Sequence, residues 1–391
     1  MPIDTERDAL RLPINRRSFL SGAAALAAGL GLAGCAGGNG TGSQAGSAGD
    51  AGSGTSAAAD LTTVRVGALK GPTGMGLVGL MDAAGMFAAG DTAETDDGAA
   101  SDTSAADSPV GTDPAGIGAL ANTYEFTLAG AADELAPQLI QGDLDVLCVP
   151  ANLAATLYQK TEGAVQVLCV NTLGVLDIVE TGDTIQDITD LAGRTIYSAG
   201  RGSTPQYALE YLLRQNGVDP ATDVTIQWVS EHAECLAALQ NDPSIACMLP
   251  QPFATSALSK VEGARIALDL TEVWNETVGA AGETSQLITG VAVARTAFVD
   301  EQPAAVAELL DAYRASVDFV NDDPATAAQL IEAADIVAAP VAEKAIPYCN
   351  IVCMTGSEMA DALEGYLQTL YDADPASVGG TMPGDDFYYT A

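Results

Sequence analysis

From Val64 onward the chain alternates short β-rich runs with amphipathic stretches, and this rhythm restricts the fold more than any other feature. Val64–Leu69, Tyr124–Leu128, Asp145–Val149 and Val165–Val170 read as strands, as do Arg194–Ser198, Asp223–Val229 and Ile245–Leu249. Helical periodicity fills Pro205–Asn216, Glu231–Gln240 and Phe253–Lys260. Strand-helix alternation predicts parallel sheets covered by helices. A further strand at Thr289–Arg295 leads into a helical tail over Ala304–Val320, Pro324–Ala334 and Ser357–Tyr371, so the chain is expected to return there to its first sheet. With 391 residues and 48% hydrophobic content there is apolar surface for two cores. The expected division is lobe 1 at 61–173 plus 290–391 and lobe 2 at 174–289. Crossings near Leu173–Val175 and Thr289–Val291 would form the hinge.

The segment from about residue 90 to 122 breaks the rhythm, being rich in Asp, Ala, Gly, Ser and Thr, and reads as a disordered acidic insertion. Its acids do not follow the EF-hand order. Ahead of the alternating region, Arg7, Arg11, Arg16 and Arg17 precede an apolar run from Ala23 to Ala33, too short to span a bilayer. Asn15 to Leu20 resembles the twin-arginine export motif, and Leu32-Ala33-Gly34-Cys35 resembles the lipobox of bacterial lipoproteins. Residues 1–34 are therefore expected to be a signal peptide, Cys35 the lipidated N-terminus and 35–60 a flexible tether. This places the protein on the outer face of the cytoplasmic membrane.

Charge excludes whole classes of partner. Lys and Arg total 15 against 52 acids, a net charge of −37, and losing residues 1–34 would leave 11 basic residues against 49 acidic ones. Such a surface repels nucleic acid, so none is expected as a partner. Cys148 and Cys169 sit inside apolar runs as small buried side chains would, while Cys349 and Cys353 are close enough in sequence for a pairing to be considered.

Ligands of open α/β sheets bind beyond the carboxyl ends of the strands, where helix N-termini present backbone N–H groups. Four strand-to-helix loops qualify: Lys70 to Gly76 with Pro72, Thr73, Gly74 and Met75; Pro150 to Asn152; Gly200 to Pro205 with Arg201, Ser203 and Thr204; and Pro250 to Phe253 with Gln251. Arg201 beside a helix start suits an anionic or strongly polar group. Gly74, Gly76 and Gly79 match G-x-G-x-x-G after a strand, the pattern of a dinucleotide-dependent enzyme, but the acidic ribose partner would fall in the insertion. With His232 the one histidine, multi-histidine metal sites and H-E-x-x-H are excluded, and neither G-x-S-x-G nor a P-loop occurs. No catalytic residue, metal or cofactor is assigned. His232 reads equally as a cleft residue or an exposed first-turn residue, and Trp228, Trp274, Tyr207 and Phe253 either stack on a ligand or fill the core.

On Val64 to Gly76, Gly142 to Pro150, Gly202 to Tyr207, Leu249 to Ala254 and Gly290 to Thr296, the chain resembles the type II periplasmic binding proteins of the nitrate/sulfonate/taurine and thiamine-precursor class, often called NMT1- or SsuA-like. The resemblance implies an α/β, two-lobed fold of two doubly wound sheets joined by a hinge. It also implies a monomeric, non-enzymatic solute-binding lipoprotein that passes a small molecule to an ABC permease and its ATPase. The cleft positions it carries over are Pro72, Thr73, Gly74, Asn152, Ser203, Thr204 and Gln251, the last standing where the family commonly has Glu. A ligand-sensing surface protein is the alternative reading.

Overall fold

The structure, a computed structural model, describes residues 61–88 and 113–390. The export segment, Cys35, the tether and most of the acidic insertion lie outside the described residues.

Strands β1 (Thr63–Leu69), β2 (Thr123–Ala129), β3 (Val146–Pro150), β4 (Val165–Leu173), β5 (Leu176–Thr181), β6 (Thr195–Ser198), β7 (Thr225–Trp228), β8 (Ala246–Pro250), β9 (Ala264–Asp269), β10 (Ile288–Arg295) and β11 (Ile351–Met354) form two sheets. The first has the order β11-β4-β10-β3-β1-β2 and the second β7-β6-β8-β5-β9. Position in the sheet follows from the sequence of each strand. The apolar runs Val146–Val149 of β3 and Val167–Val170 of β4 are buried on both faces, as central strands must be, whereas β2 alternates exposed and half-buried residues as an edge strand does.

The sheets are mixed, which corrects the expectation of parallel sheets. β1 runs parallel to β2 and β3, but β10 lies antiparallel between β3 and β4, and β11 is antiparallel to β4. In the second sheet β6 is parallel to β7 and β8, and β5 is antiparallel to β8 and β9. β5 and β10 are the strands on which the chain arrives from the other sheet, β5 directly from β4 and β10 after the helix Leu270–Ala281, so neither closes a crossover within its own sheet, the connection that makes two strands parallel.

Asp145, at the start of β3, holds three strands of the first sheet together. Its carboxylate accepts from Arg65 of β1 (Nε 2.9 Å, Nη2 2.7 Å, backbone N 3.0 Å) and from Nη2 of Arg295 of β10 (2.5 Å). Burial alone would raise this carboxyl, and the hydrogen bonds from the two arginines outweigh it and hold it below the usual aspartate range.

The two sheets share apolar core. Trp274, fully buried on the helix Leu270–Ala281, packs 4.8 Å from the ring of Tyr211 on the helix Thr204–Gln215 and 5.5 Å from that of Tyr366 on the helix Gly356–Ala373. One continuous cluster contains Val149 and Val170 of the first sheet together with Ile178 and Ile196 of the second. The opposite face of the first sheet is covered by the helices Val78–Ala83, Pro303–Asp322 and Pro324–Ala333. Cys148, Cys169, Cys235, Cys247, Cys349 and Cys353 are all free thiols, so no Cys349–Cys353 bridge forms. No helix among the described residues is long and apolar enough to cross a membrane.

Replacing Asp145 by Asn strips two partly exposed arginines of their counter-charge, and urea unfolding at pH 7 is expected to show a loss of about 2 kcal/mol. Because the folded pKa is depressed, this stabilisation is complete above the unfolded aspartate value of about 3.9 and disappears as the pH falls through the folded one, so wild type and Asp145→Asn should converge in acid.

Candidate functional site: a crevice between the sheets

The carboxyl ends of six strands, three from each sheet, open onto one crevice of about 680 Å³. That volume falls within the range of sites for small organic molecules, roughly 300–1,000 Å³. Residues following β1, β2 and β3 face those following β6, β7 and β8, and Thr172, Val175 and Thr289, where the chain passes between sheets, complete the lining.

Five of the residues singled out from the sequence line this space: Pro72, Thr73, Arg201, Ser203 and Gln251. Four do not. Gly74 and Met75 are buried behind the loop, and a Cβ on residue 74 would stand 2.6 Å from the carbonyl oxygen of Leu69, so glycine here serves the close return of the backbone. Asn152 and Thr204 are fully buried and bond to each other across the two sheets. Thr204 Oγ1 donates to Asn152 Oδ1 (3.3 Å), Tyr366 OH donates to Thr204 Oγ1 (3.4 Å), and Asn152 Nδ2 donates to the carbonyls of Ser377 (3.0 Å) and Gly202 (3.4 Å). Their polar atoms therefore join the lobes behind the crevice and do not face it.

The dinucleotide-like glycines have a packing explanation. A Cβ at Gly76 would meet Ile351 at 2.9 Å, and one at Gly79 would meet Ala115 and Ser316 at 2.9 Å. Ser316 Oγ accepts from the backbone N–H groups of Gly79 (3.0 Å) and Leu80 (3.2 Å) and donates to the carbonyl of Gly76 (2.7 Å). The amides a pyrophosphate would need at this helix start are thus already occupied by a serine.

The lining of the crevice lacks the acidic excess of the molecule. Of the 11 basic residues after Cys35, Lys70, Lys160 and Arg201 line it, facing two acids, Asp133 and Glu231. Lys70 pairs with the exposed Asp335 at 2.6 Å, while Lys160 and Arg201 make no ion pair among the described residues. Lys160 was not identified from the sequence, yet a signal existed. Leu153, Leu157 and Lys160 recur at i, i+4 and i+7 on the helix Ala151–Lys160, so that helix presents a whole face to the crevice. Ala132, Ala136 and Ile140 do the same from the helix Ala132–Gln141.

Gln251 is 2% exposed and its amide is committed to protein. Nε2 donates to Asp177 Oδ2 (2.9 Å), while Oε1 accepts from Thr255 Oγ1 (2.7 Å) and Thr255 N (3.2 Å). A glutamate here would meet Asp177 carboxylate to carboxylate, so glutamine is the side chain this arrangement requires. Burial, and then the nearby Asp269, raise the Asp177 carboxyl to about 7 against the opposing Gln251 hydrogen bond. His232 lines the crevice at the first turn of its helix with its ring 5.4 Å from that of Phe253, and burial pushes its imidazole down to about 4.

Two titrations follow. A carboxyl whose folded pKa is raised favours folding in acid and loses that contribution as the pH rises through about 7. Asp177→Asn is therefore expected to gain roughly 2 kcal/mol over wild type in urea unfolding at pH 8 and nothing at pH 4. The histidine Hε1 proton of the tag-free chain, followed by NMR, should titrate near pH 4. Since the unfolded ring binds a proton near 6.5, His232 costs stability as the pH drops between those values.

Residues 74–335 match the model of the NMT1-like family. No curated protein sequence matches the chain. Among solved structures, an ABC transporter protein from Parabacteroides distasonis is similar at 20% identity and a TM-score of 0.61, over 84% of this chain and 99% of that one. The alkanesulfonate-binding protein SsuA of Xanthomonas axonopodis pv. citri, bound to MOPS, is similar at 14% identity and a TM-score of 0.59, over 84% and 99%. The ligand-binding component of an ABC-type import system from Staphylococcus aureus gives 14%, 0.58, 84% and 97%. These likenesses establish the two-lobed periplasmic-binding-protein fold that the two sheets and their shared crevice already describe. With two thirds of its length matched, the chain belongs to the NMT1-like family.

Proposed function

We propose that this protein is an extracytoplasmic solute-binding lipoprotein of an ABC importer, anchored through Cys35, which captures a small organic anion in the crevice and delivers it to the permease. The observation that carries the reading is electrostatic. In a chain of net charge −37, one concave, largely apolar space is lined from both lobes and holds Arg201 and Lys160, which have no ion-pair partner among the described residues. Acidic walls repel anions in general, so a local cluster of cations is what lets one anion bind there.

Binding is expected to act by closure. A ligand touching the loops after β1 and β6 together gains its full contacts only when the lobes are shut, so it shifts an existing open-closed equilibrium towards the form a permease recognises. No bond in the ligand has to be made or broken. The relatives' names support the class: one binds alkanesulfonates and another is the ligand-binding component of an import system.

A melting-temperature screen of the mature chain against alkyl and aryl sulfonates, carboxylates and nitrate tests this, since a ligand specific for the native state must raise the midpoint. At least one sulfonate or carboxylate is expected to do so, with binding weakened by raised salt. Arg201→Ala should reduce its affinity about tenfold, or about 1.4 kcal/mol. Unaltered binding in that variant would remove the anion assignment.

A further inference from the structure

The histidine of the crevice is unusual in what it lacks. Neither ring nitrogen of His232 has a hydrogen-bond partner in the described structure, and Nδ1 is closed off from solvent without one. Buried polar groups are nearly always paired, and one left unpaired calls for an explanation. The carboxylates nearby do not supply it. Glu234 Oε1 is taken by the backbone N–H groups of Ser230 and Glu231, both at 3.1 Å, and Glu231 reaches towards Gly130 of the other lobe, whose Cβ, if present, would lie 3.4 Å from its Oε1. The ring is oriented by packing against Phe253, 5.4 Å away and tilted by 40°.

His232 and Phe253 come from different loops, after β7 and β8, and both line the crevice. Lobe 1 contributes an apolar helix face, Ala132, Ala136 and Ile140, to the same space. Two rings on one lobe and an aliphatic face on the other suit a flat apolar body, because aromatic pairs gain from stacking beyond their buried area. The polar edge of the imidazole is left uncommitted by the protein.

We infer that His232 is a ligand-contacting specificity residue of the crevice: with Phe253 it forms the wall that holds the planar body of an aromatic anion, and Nε2, the unpaired ring nitrogen that is not closed off, meets a polar atom of that ligand. The inference rests on the solute-binding reading above and deepens it. It distinguishes anions that carry a ring from those with the same charged head and no ring.

The test uses benzenesulfonate and methanesulfonate as probes on the full chain without a histidine tag. Because the chain contains a single histidine, its imidazole resonances need no assignment. Titration with benzenesulfonate is expected to move the Hε1 signal. His232→Ala and Phe253→Leu should each weaken benzenesulfonate about tenfold and change methanesulfonate less than twofold, and His232→Gln provides a milder substitution should His232→Ala fail to fold. An unmoved Hε1 signal, or equal benzenesulfonate affinity in His232→Gln and wild type, with the probe still bound, overturns the role of His232 and leaves solute binding standing. If no sulfonate or carboxylate binds wild type, the solute-binding reading fails and this inference with it.

Discussion

Everything in this molecule depends on β10 entering antiparallel between β3 and β4. That single insertion brings the chain back from the second sheet, completes the centre of the first and sets Thr289 at the floor of the crevice. It is held at its far end by the Asp145 carboxylate, shared between Arg295 of β10 and Arg65 of β1. Near the crevice it is tolerated because residue 290 is glycine: a Cβ there would lie 2.6 Å from both Asn171 Oδ1 and the Thr73 methyl. The loop after β1 and the returning strand can touch only at a residue without a side chain.

Charge works at two scales. Over the whole surface the excess of acids favours solubility and repels polyanions, while three basic side chains are gathered at the crevice. Most arginines elsewhere are spent on structure, Arg65 and Arg295 on Asp145, Arg265 on Glu180 and Arg214 on Glu210. Arg201 and Lys160 are not spent in this way: neither forms an ion pair among the described residues.

The strand-helix alternation, the return through Thr289–Arg295 and the loops at the strand ends could all be read from the sequence, because each is written in local periodicity and turn chemistry. What could not be read depends on partners distant in the chain. β5 contains Asp177 and Glu180, which interrupt its apolar pattern. They are accommodated only because Gln251 meets the first and Arg265 with Thr184 the second. Asn152 and Thr204 had the residue types of ligand contacts, and only their distance from each other in the fold shows that they satisfy one another. The glycines at 74, 76 and 79 matched a phosphate-binding pattern for the same reason: close approach of backbone is demanded equally by a pyrophosphate and by the Leu69 carbonyl, Ile351, Ala115 and Ser316.

The aromatic seam of Tyr211, Trp274 and Tyr366 bears on how the lobes can behave as separate bodies. Side chains from both sheets sit in one uninterrupted apolar cluster, so the lobes share part of their interior beside the separate core that each keeps on its outer face. Severing them would expose the indole of Trp274, which couples the stability of one half to that of the other. A parting of the halves at this seam would cost that packing, whereas a roll of one half over the rings, used as a bearing, would keep it.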